Sequence, residues 1–189
     1  MPRLSIGVFG SDADLEYGKE VERLAEEVGK LIAERECALL YGVEKDRDSL
    51  PTIAARSAKK HGGLVVAFTY GKGLDVYDKS ADIIIPTGMI RGGGREFSLA
   101  LSCHSAITIA GGAGTLAEIA FCYMADIPVV SLVGTGGVTD DVAGKYLDQR
   151  TKATIYGAHT PEEAVDKAVR LGTDYLGKWF SEDQIFYRR

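Results

Sequence analysis

Short apolar runs alternate with amphipathic stretches along the whole chain. Leu4 to Phe9 is an apolar run closed by Gly10-Ser11, which predicts a first strand buried on both faces. Asp12 or Asp14 is placed to cap the helix that follows. Leu15 to Arg35 carries apolar residues at Val21, Leu24, Ala25, Val28, Leu31 and Ile32, spacings of three and four that describe one helix face. Ala38 to Tyr41 predicts a second strand, and Gly42 to Leu50 reads as a polar loop. Pro51 fits the first turn of a helix that reaches about His61, where Gly62-Gly63 stops it. Leu64 to Phe68 and Ile83 to Ile85 predict the third and fourth strands. Glu96 to His104 is helical, and Ala106 to Ala110 is a fifth strand.

The stretch Ile107 to Ala125 then passes from a β-branched run through a glycine turn into a helix. Pro128 to Val133 is a sixth strand, about Asp140 to Gln149 a helix, and Ala153 to Tyr156 a last strand. Thr160-Pro161-Glu162-Glu163 opens a helix that runs to about Leu171. The tail from Thr173 to Arg189 contains Tyr175, Trp179, Phe180, Phe186 and Tyr187, and is expected to pack on the body or on another subunit.

Strands alternating with helices predict an α/β fold: a Rossmann-like, doubly wound, mostly parallel sheet of about seven strands with helices on both faces. Residues 1–189 are expected to form one nucleotide-binding domain, with 173–189 as its aromatic tail. Such sheets bind ligands at the carboxyl ends of their strands, and every glycine turn here follows a strand.

Composition narrows the function. A chain of 189 residues buries roughly 70% of its unfolded surface and needs neither disulfides nor metal to fold. The formal charge of -5 argues against a nucleic-acid binder, yet a local pocket can still be positive. Cys37, Cys103 and Cys122 lack C-x-x-C spacing and read as reduced, buried thiols. The first residues have no signal-peptide shape, and no apolar run reaches the ~18 residues of a membrane helix. A cytoplasmic protein without membrane or nucleic-acid partners is expected.

The candidate chemistry centres on Gly111-Gly112-Ala113-Gly114-Thr115. Gly111, Gly112, Gly114 and Thr115 read as a phosphate cradle of backbone N–H groups at a helix start, with the Thr115 hydroxyl beside them. The spacing is neither a P-loop nor a dinucleotide G-x-G-x-x-G turn. Glu118 follows Thr115 by three residues. The T-x-x-E form makes it either the far member of a capping box or a catalytic carboxylate. Arg95, at the mouth of the fourth connection, is placed to offset Glu118 and to hold a phosphate or ribose hydroxyl, and Arg91 is a second candidate. Gly10 and Ser11 end the first strand at the central switch point and are expected to line a nucleotide. Gly134, Thr135 and Gly136 could add backbone donors. Lys72, between two glycines, fits a ligand contact or a solvated loop equally. His61, His104 and His159 make no metal spacing, so neither a metal nor a cofactor is expected, and His104 reads as structural.

The run Gly111 to Glu118 resembles the P-G-G-x-G-T-x-x-E signature of the Lonely Guy proteins, long mislabelled as lysine decarboxylases. Arg95 stands sixteen residues before Gly111, the spacing of the family's arginine. The resemblance extends from Leu4 to about Leu171 and implies a Rossmann-like, usually dimeric protein, so a homodimer or higher homo-oligomer is expected. Active members hydrolyse the N-glycosidic bond of nucleoside 5'-monophosphates to free base and ribose 5-phosphate. A related branch includes molybdenum-cofactor carrier proteins. There are departures: Ala110 replaces the signature's proline, Glu96 stands where active enzymes carry lysine, and the second-strand loop has lost most of its glycines. A lysine decarboxylase is excluded, because nothing resembles a pyridoxal-phosphate lysine site.

The expected function is therefore phosphoribohydrolysis. The phosphate would lie on the amides of Gly112, Gly114 and Thr115, and the ribose across Arg95 and Glu118. Arg95 would keep Glu118 ionised, and Glu118 would stabilise the developing oxocarbenium charge. The alternative is a carrier that binds a phosphorylated pterin or a nucleotide without turnover.

Overall fold

In the computed structural model, residues 2–71, 73–90, 93–151 and 153–180 are described. Seven strands form one parallel sheet: β1 (Ser5–Gly10), β2 (Ala38–Gly42), β3 (Leu64–Thr69), β4 (Ile83–Pro86), β5 (Ser105–Ile109), β6 (Val129–Leu132) and β7 (Tyr156–Ala158). The spatial order is β4-β3-β2-β1-β5-β6-β7, and every pair is parallel. The helices are α1 (Gly18–Glu34), α2 (Leu50–Lys60), α3 (Gly94–Leu101), α4 (Ala113–Met124), α5 (Gly137–Val142) and α6 (Pro161–Phe180).

Successive strand residues point to opposite faces, so each strand feeds two cores. Ile6 and Val8 of β1, Leu39 and Tyr41 of β2, and Val65 and Ala67 of β3 join Ala25, Val28 and Ile32 of α1 and Ala54 and Ala55 of α2. Phe9, Leu40, Val66 and Phe68 turn the other way, onto Leu99 of α3 and Ile119, Cys122 and Tyr123 of α4. All three cysteines are buried and free.

The order reverses between β1 and β5, whose last residues Gly10 and Ile109 lie side by side. The connections leaving these two strands diverge to opposite faces and open a crevice at the carboxyl edge.

Several boundaries differ from the sequence reading. The helix after β1 starts at Gly18, with no side-chain cap from Asp12 or Asp14. Ala13–Leu15 is a separate 3-10 turn, and Asp14 pairs instead with Arg47. The helix expected to reach Gln149 ends at Val142, because Ala143 turns extended (ψ 129°) and Gly144 takes φ 74°. The last strand lies at Tyr156–Ala158 rather than Ala153 to Tyr156. Ile155 donates to the Lys145 carbonyl and accepts from Gly144, so the ladder with β6 begins only at Tyr156. α6 passes through Gly172 and continues to Phe180. Glycine suits that position, since a Cβ there would lie 2.9 Å from Ser105 Oγ. Tyr175, expected in a packing tail, is in α6 and packs on the second core. The side chains of Trp179 and Phe180, and Phe186 and Tyr187, lie outside the described residues.

Candidate functional site

The glycine turn leaves β5 through two residues with left-handed backbone, Ala110 (φ 53°) and Gly111 (φ 101°). Gly111 must be glycine twice over: besides its φ, a Cβ would lie 2.5 Å from Thr115 Oγ1. Its N–H donates to Ser11 Oγ at 2.8 Å, tying the ends of β1 and β5 together. Ala110 donates to Thr135 Oγ1 at 2.8 Å and accepts from the Thr139 hydroxyl at 2.5 Å. Its positive φ also accounts for the missing proline, whose ring locks φ near −65°.

Gly112 is the N-cap of α4, and no side chain caps the helix. The N–H groups of Gly112, Ala113, Gly114 and Thr115 have no acceptor among the described residues. All four residues line a cavity of about 480 Å³, together with Gly10 and Ser11. Unsatisfied N–H groups and the positive end of a helix are what an anion requires. The Thr115 hydroxyl is committed elsewhere, donating to the Gly10 carbonyl at 3.2 Å.

The T-x-x-E segment is not a capping box. α4 begins at Ala113, so Thr115 already lies inside its first turn and Glu118 in its second. Glu118 lines the same cavity, 6% exposed. The carboxylate that does serve a helix start is Glu96, in the first turn of α3, which accepts from the Gly93 N–H through Oε2 at 2.9 Å.

Arg95 also lines the cavity, 7% exposed, at the second residue of α3. Its Nη2 donates to Tyr70 Oη at 2.5 Å, Glu96 Oε1 at 3.1 Å and Glu44 Oε1 at 3.2 Å. Its Cζ lies 4.5 Å from the centroid of the Tyr70 ring, and Tyr70 in turn donates to Glu44 at 2.9 Å. The guanidinium packs directly on Gly42, where a Cβ would come within 1.6 Å of Nη1.

Among the described residues no ion pair joins Arg95 to Glu118. Arg95 therefore does not hold Glu118 ionised, as the sequence reading expected. Burial pushes the Glu118 carboxyl up to about 8; Arg95 opposes the shift, while Glu96, Asp12 and Glu44 reinforce it. Glu96 goes the other way. Burial works against its ionisation, but Arg95 and the Gly93 N–H outweigh it and hold its carboxyl below the usual range. Arg95 stays a cation: burial disfavours its charge, and the surrounding acids, Glu118 foremost, raise its pKa.

The sequence reading missed Glu44 and Tyr70, which complete the Arg95 cluster. It also placed more at the site than the structure brings there. Gly134, Thr135 and Gly136 do not line the cavity; Asp140 accepts from the Gly134 and Gly136 N–H groups at 2.7 and 3.0 Å. Thr135 instead supports Ala110 from beneath. His104 Nδ1 accepts from the Ser5 N–H at 2.9 Å, a structural role. Arg91 and Lys72 lie outside the described residues. Among the described residues no group of three or more His, Cys, Asp or Glu is arranged to hold a metal. No helix among them is long and apolar enough to cross a membrane.

Comparison with known proteins places this geometry in context. The model of the SLOG cluster4 family matches residues 3–165. An uncharacterized protein of Archaeoglobus fulgidus is 36% identical over 132 residues, 70% of this chain and 82% of that protein. Among solved structures, the structural-genomics target TM1055 is 26% identical with a TM-score of 0.78, covering 88% of this chain and 99% of its own. The Moco carrier protein from Chlamydomonas reinhardtii is 27% identical with a TM-score of 0.75, covering 92% and 99%. The molybdenum cofactor binding protein from Rippkaea orientalis shares the fold, at 24% identity and a TM-score of 0.74 over 90% and 98%.

Proposed function

This chain belongs to the SLOG cluster4 family, and from that premise we propose that it binds a phosphorylated pterin of the molybdenum-cofactor class without turning it over. The observation that carries the reading is the commitment of Arg95. Its Nη2 serves Glu44, Glu96 and Tyr70, and forms no ion pair with Glu118. Glu118, raised to about 8, is mostly protonated at neutral pH. A neutral acid gives little help to a developing positive charge, whereas glycoside hydrolysis at an anomeric carbon depends on an ionised carboxylate. The free N–H groups at the start of α4 remain a seat for the phosphate. The carrier proteins of similar fold support the choice of ligand.

A second reading, hydrolysis of a nucleoside 5'-monophosphate, draws on one observation: Arg95 and Glu118 share a cavity with the glycine turn. A carboxyl with raised pKa could protonate a departing base. One experiment separates the two. The purified protein is examined for a bound chromophore by near-ultraviolet absorbance and mass spectrometry, then incubated with a panel of nucleoside 5'-monophosphates and assayed for free base. The carrier reading expects a phosphorylated pterin and no base. Base release that disappears in Glu118→Gln overturns it in favour of the hydrolase.

Assembly with a second copy is part of the proposal, supported by Phe97 and Leu101 of α3 and Met124 of α4, large apolar side chains left exposed. Light scattering tests it. Three free buried thiols support a reducing compartment such as the cytoplasm.

A further inference from the structure

Of the carboxyls and hydroxyls lining the cavity all but one have a partner, and Arg95 keeps one buried donor, Nε, without an acceptor among the described residues. The Ser11 hydroxyl accepts from Gly111, and the Thr115 hydroxyl donates to Gly10. Asp14 pairs with Arg47; Arg95 bonds to Glu44 and Glu96; Asp12 also has its partner. Glu118 is different. It is 94% buried by its 6% exposure, it lines the cavity, and among the described residues nothing donates a hydrogen bond to it or forms an ion pair with it. A carboxyl held inside a cavity with no partner on the chain is placed to take its partner from a ligand.

We propose that Glu118 reads the hydrogen-bonding edge of a 2-amino-4-oxopyrimidine ring, the edge shared by pterins and guanine, while the ligand's phosphate sits on the first turn of α4. The inference rests on the phosphorylated-ligand reading above and specifies what lies at the other end of that ligand.

Three points select this edge. The helix rise of 1.5 Å per residue puts Glu118 roughly 7.5 Å along α4 from Ala113, and its side chain leans back toward the helix start. A phosphate and a ring on one short linker span that interval. The unpartnered Glu118 carboxyl calls for hydrogen-bond donors at this end of the cavity, because Glu44 and Glu96, which also line it, are already bonded to Arg95. Finally, a ring N–H beside an exocyclic amino group presents two parallel donors, a fork that matches the two oxygens of a carboxylate as a guanidinium does. Hypoxanthine and lumazine lack the amino group and offer only part of the fork.

The protonation of Glu118 gives the inference a second signature. Two donors need two acceptors, so binding must expel the proton that burial keeps on the carboxyl. Affinity for the edge then rises with pH up to about 8, where the free carboxyl ionises by itself.

The test is titration calorimetry with the full chain and four probes: guanosine and inosine 5'-monophosphates, and 6-hydroxymethylpterin phosphate with its lumazine counterpart. Inorganic phosphate serves as the blank. In each pair the amino-bearing ligand is expected to bind about tenfold or more tightly. In buffers of differing ionisation enthalpy, binding is expected to release up to one proton beyond the phosphate blank. Glu118→Gln, isosteric with the protonated acid, is expected to lose the selectivity while still binding phosphate. The tighter of the pterin and guanosine ligands identifies the source of the ring. Equal affinity within each pair, or selectivity that survives Glu118→Gln, overturns this inference and leaves the phosphate seat standing. Failure of every phosphorylated probe to bind overturns both this inference and the reading it rests on.

Discussion

Adding a single methyl group at Gly42 should dismantle the Arg95 cluster. The Cβ of Gly42→Ala would stand 1.6 Å from Arg95 Nη1, 2.6 Å from Cζ and 3.3 Å from Nε. Ordinary contact requires about 3.5–4.0 Å, so the guanidinium must retreat by about 2 Å. All three of its hydrogen bonds run from Nη2 at 2.5 to 3.2 Å, and a shift of that size breaks them. Glu44 and Glu96 would then be buried acids with their cation displaced. Breaking a buried ion pair costs about 3–5 kcal/mol. For a chain of this length that is a fall in Tm of about 6–20 °C. Gly42 is an ordinary strand residue and has no positive φ, so backbone strain adds nothing to the penalty. Thermal unfolding measures the effect, and a double-mutant cycle assigns it. In an Arg95→Met background, whose unbranched side chain can move aside, Gly42→Ala should lose most of its penalty. A Gly42→Ala variant melting within about 2 °C of the parent would refute the packing argument. So would an equal penalty with and without Arg95.

Three further outcomes follow from the same geometry. Glu118 is raised in the folded protein, so folding takes up a proton as pH rises from the ordinary 4.5 to about 8, and the parent loses stability across that window. Glu118→Gln does not titrate; its stability relative to the parent should improve between about pH 5 and about pH 8 in urea melts, and a difference independent of pH would contradict the assignment. At Ala110, relief of the left-handed backbone by Ala110→Gly should stabilise by about 1 kcal/mol, whereas Ala110→Pro cannot reach φ 53° and loses the bond to Thr135, so it should unfold well below the parent temperature. Thr135→Val leaves the buried Ala110 N–H without its acceptor and should cost about 1–3 kcal/mol in the same melts; a melt matching the parent would contradict the role given to that bond.

Much of the fold is legible because buried parallel strands are continuous apolar runs, and because glycine turns mark their carboxyl ends. The turn from Gly111 to Thr115 was recognisable for that reason. The boundaries that moved were decided by contacts distant in sequence: Gly144 with Ile155 for β7, and Gly172 against Ser105 for α6. Glu44 was hidden by its neighbours. Gly42 to Leu50 is polar and reads as solvated, yet Val43 N–H continues the sheet ladder to the Phe68 carbonyl at 3.0 Å. That one bond carries Glu44 inward, 4% exposed, beside Arg95. Tyr70 follows β3 in the same way. The usable signal was position: the first residues beyond each strand, at the carboxyl edge, deserve the same scrutiny as the glycines. The capping-box pattern misled for a related reason. Backbone geometry at Ala110 and Gly111 starts α4 at Ala113, and this carries Thr115 and Glu118 past the positions at which they could cap.

The proposed anion seat and a carboxyl in one cavity pose an electrostatic problem, since a phosphate and an ionised Glu118 would repel. The proposed arrangement separates the two along α4, and the proton on Glu118 removes the repulsion until a ring is bound. Arg95 is one positive charge set against Glu44 and Glu96 as well as Glu118, and it is hydrogen-bonded to the first two. Both of its partners line the cavity with it, so Nη2 is already engaged. Burial, the largest cause, disfavours the ionised form of Glu118 more than Arg95 favours it, and the proton stays on. The N–H groups at the helix start meanwhile have no acceptor among the described residues. The cavity is thus polarised along α4, with donors at one end and a titratable acceptor at the other. A ligand that carries a phosphate and an N–H-rich ring satisfies both ends, and drives the proton off only when the ring is in place. A ligand with a phosphate alone leaves Glu118 protonated. That difference in proton balance couples recognition of the ring to pH, while recognition of the phosphate by backbone amides has no titrating protein group of its own.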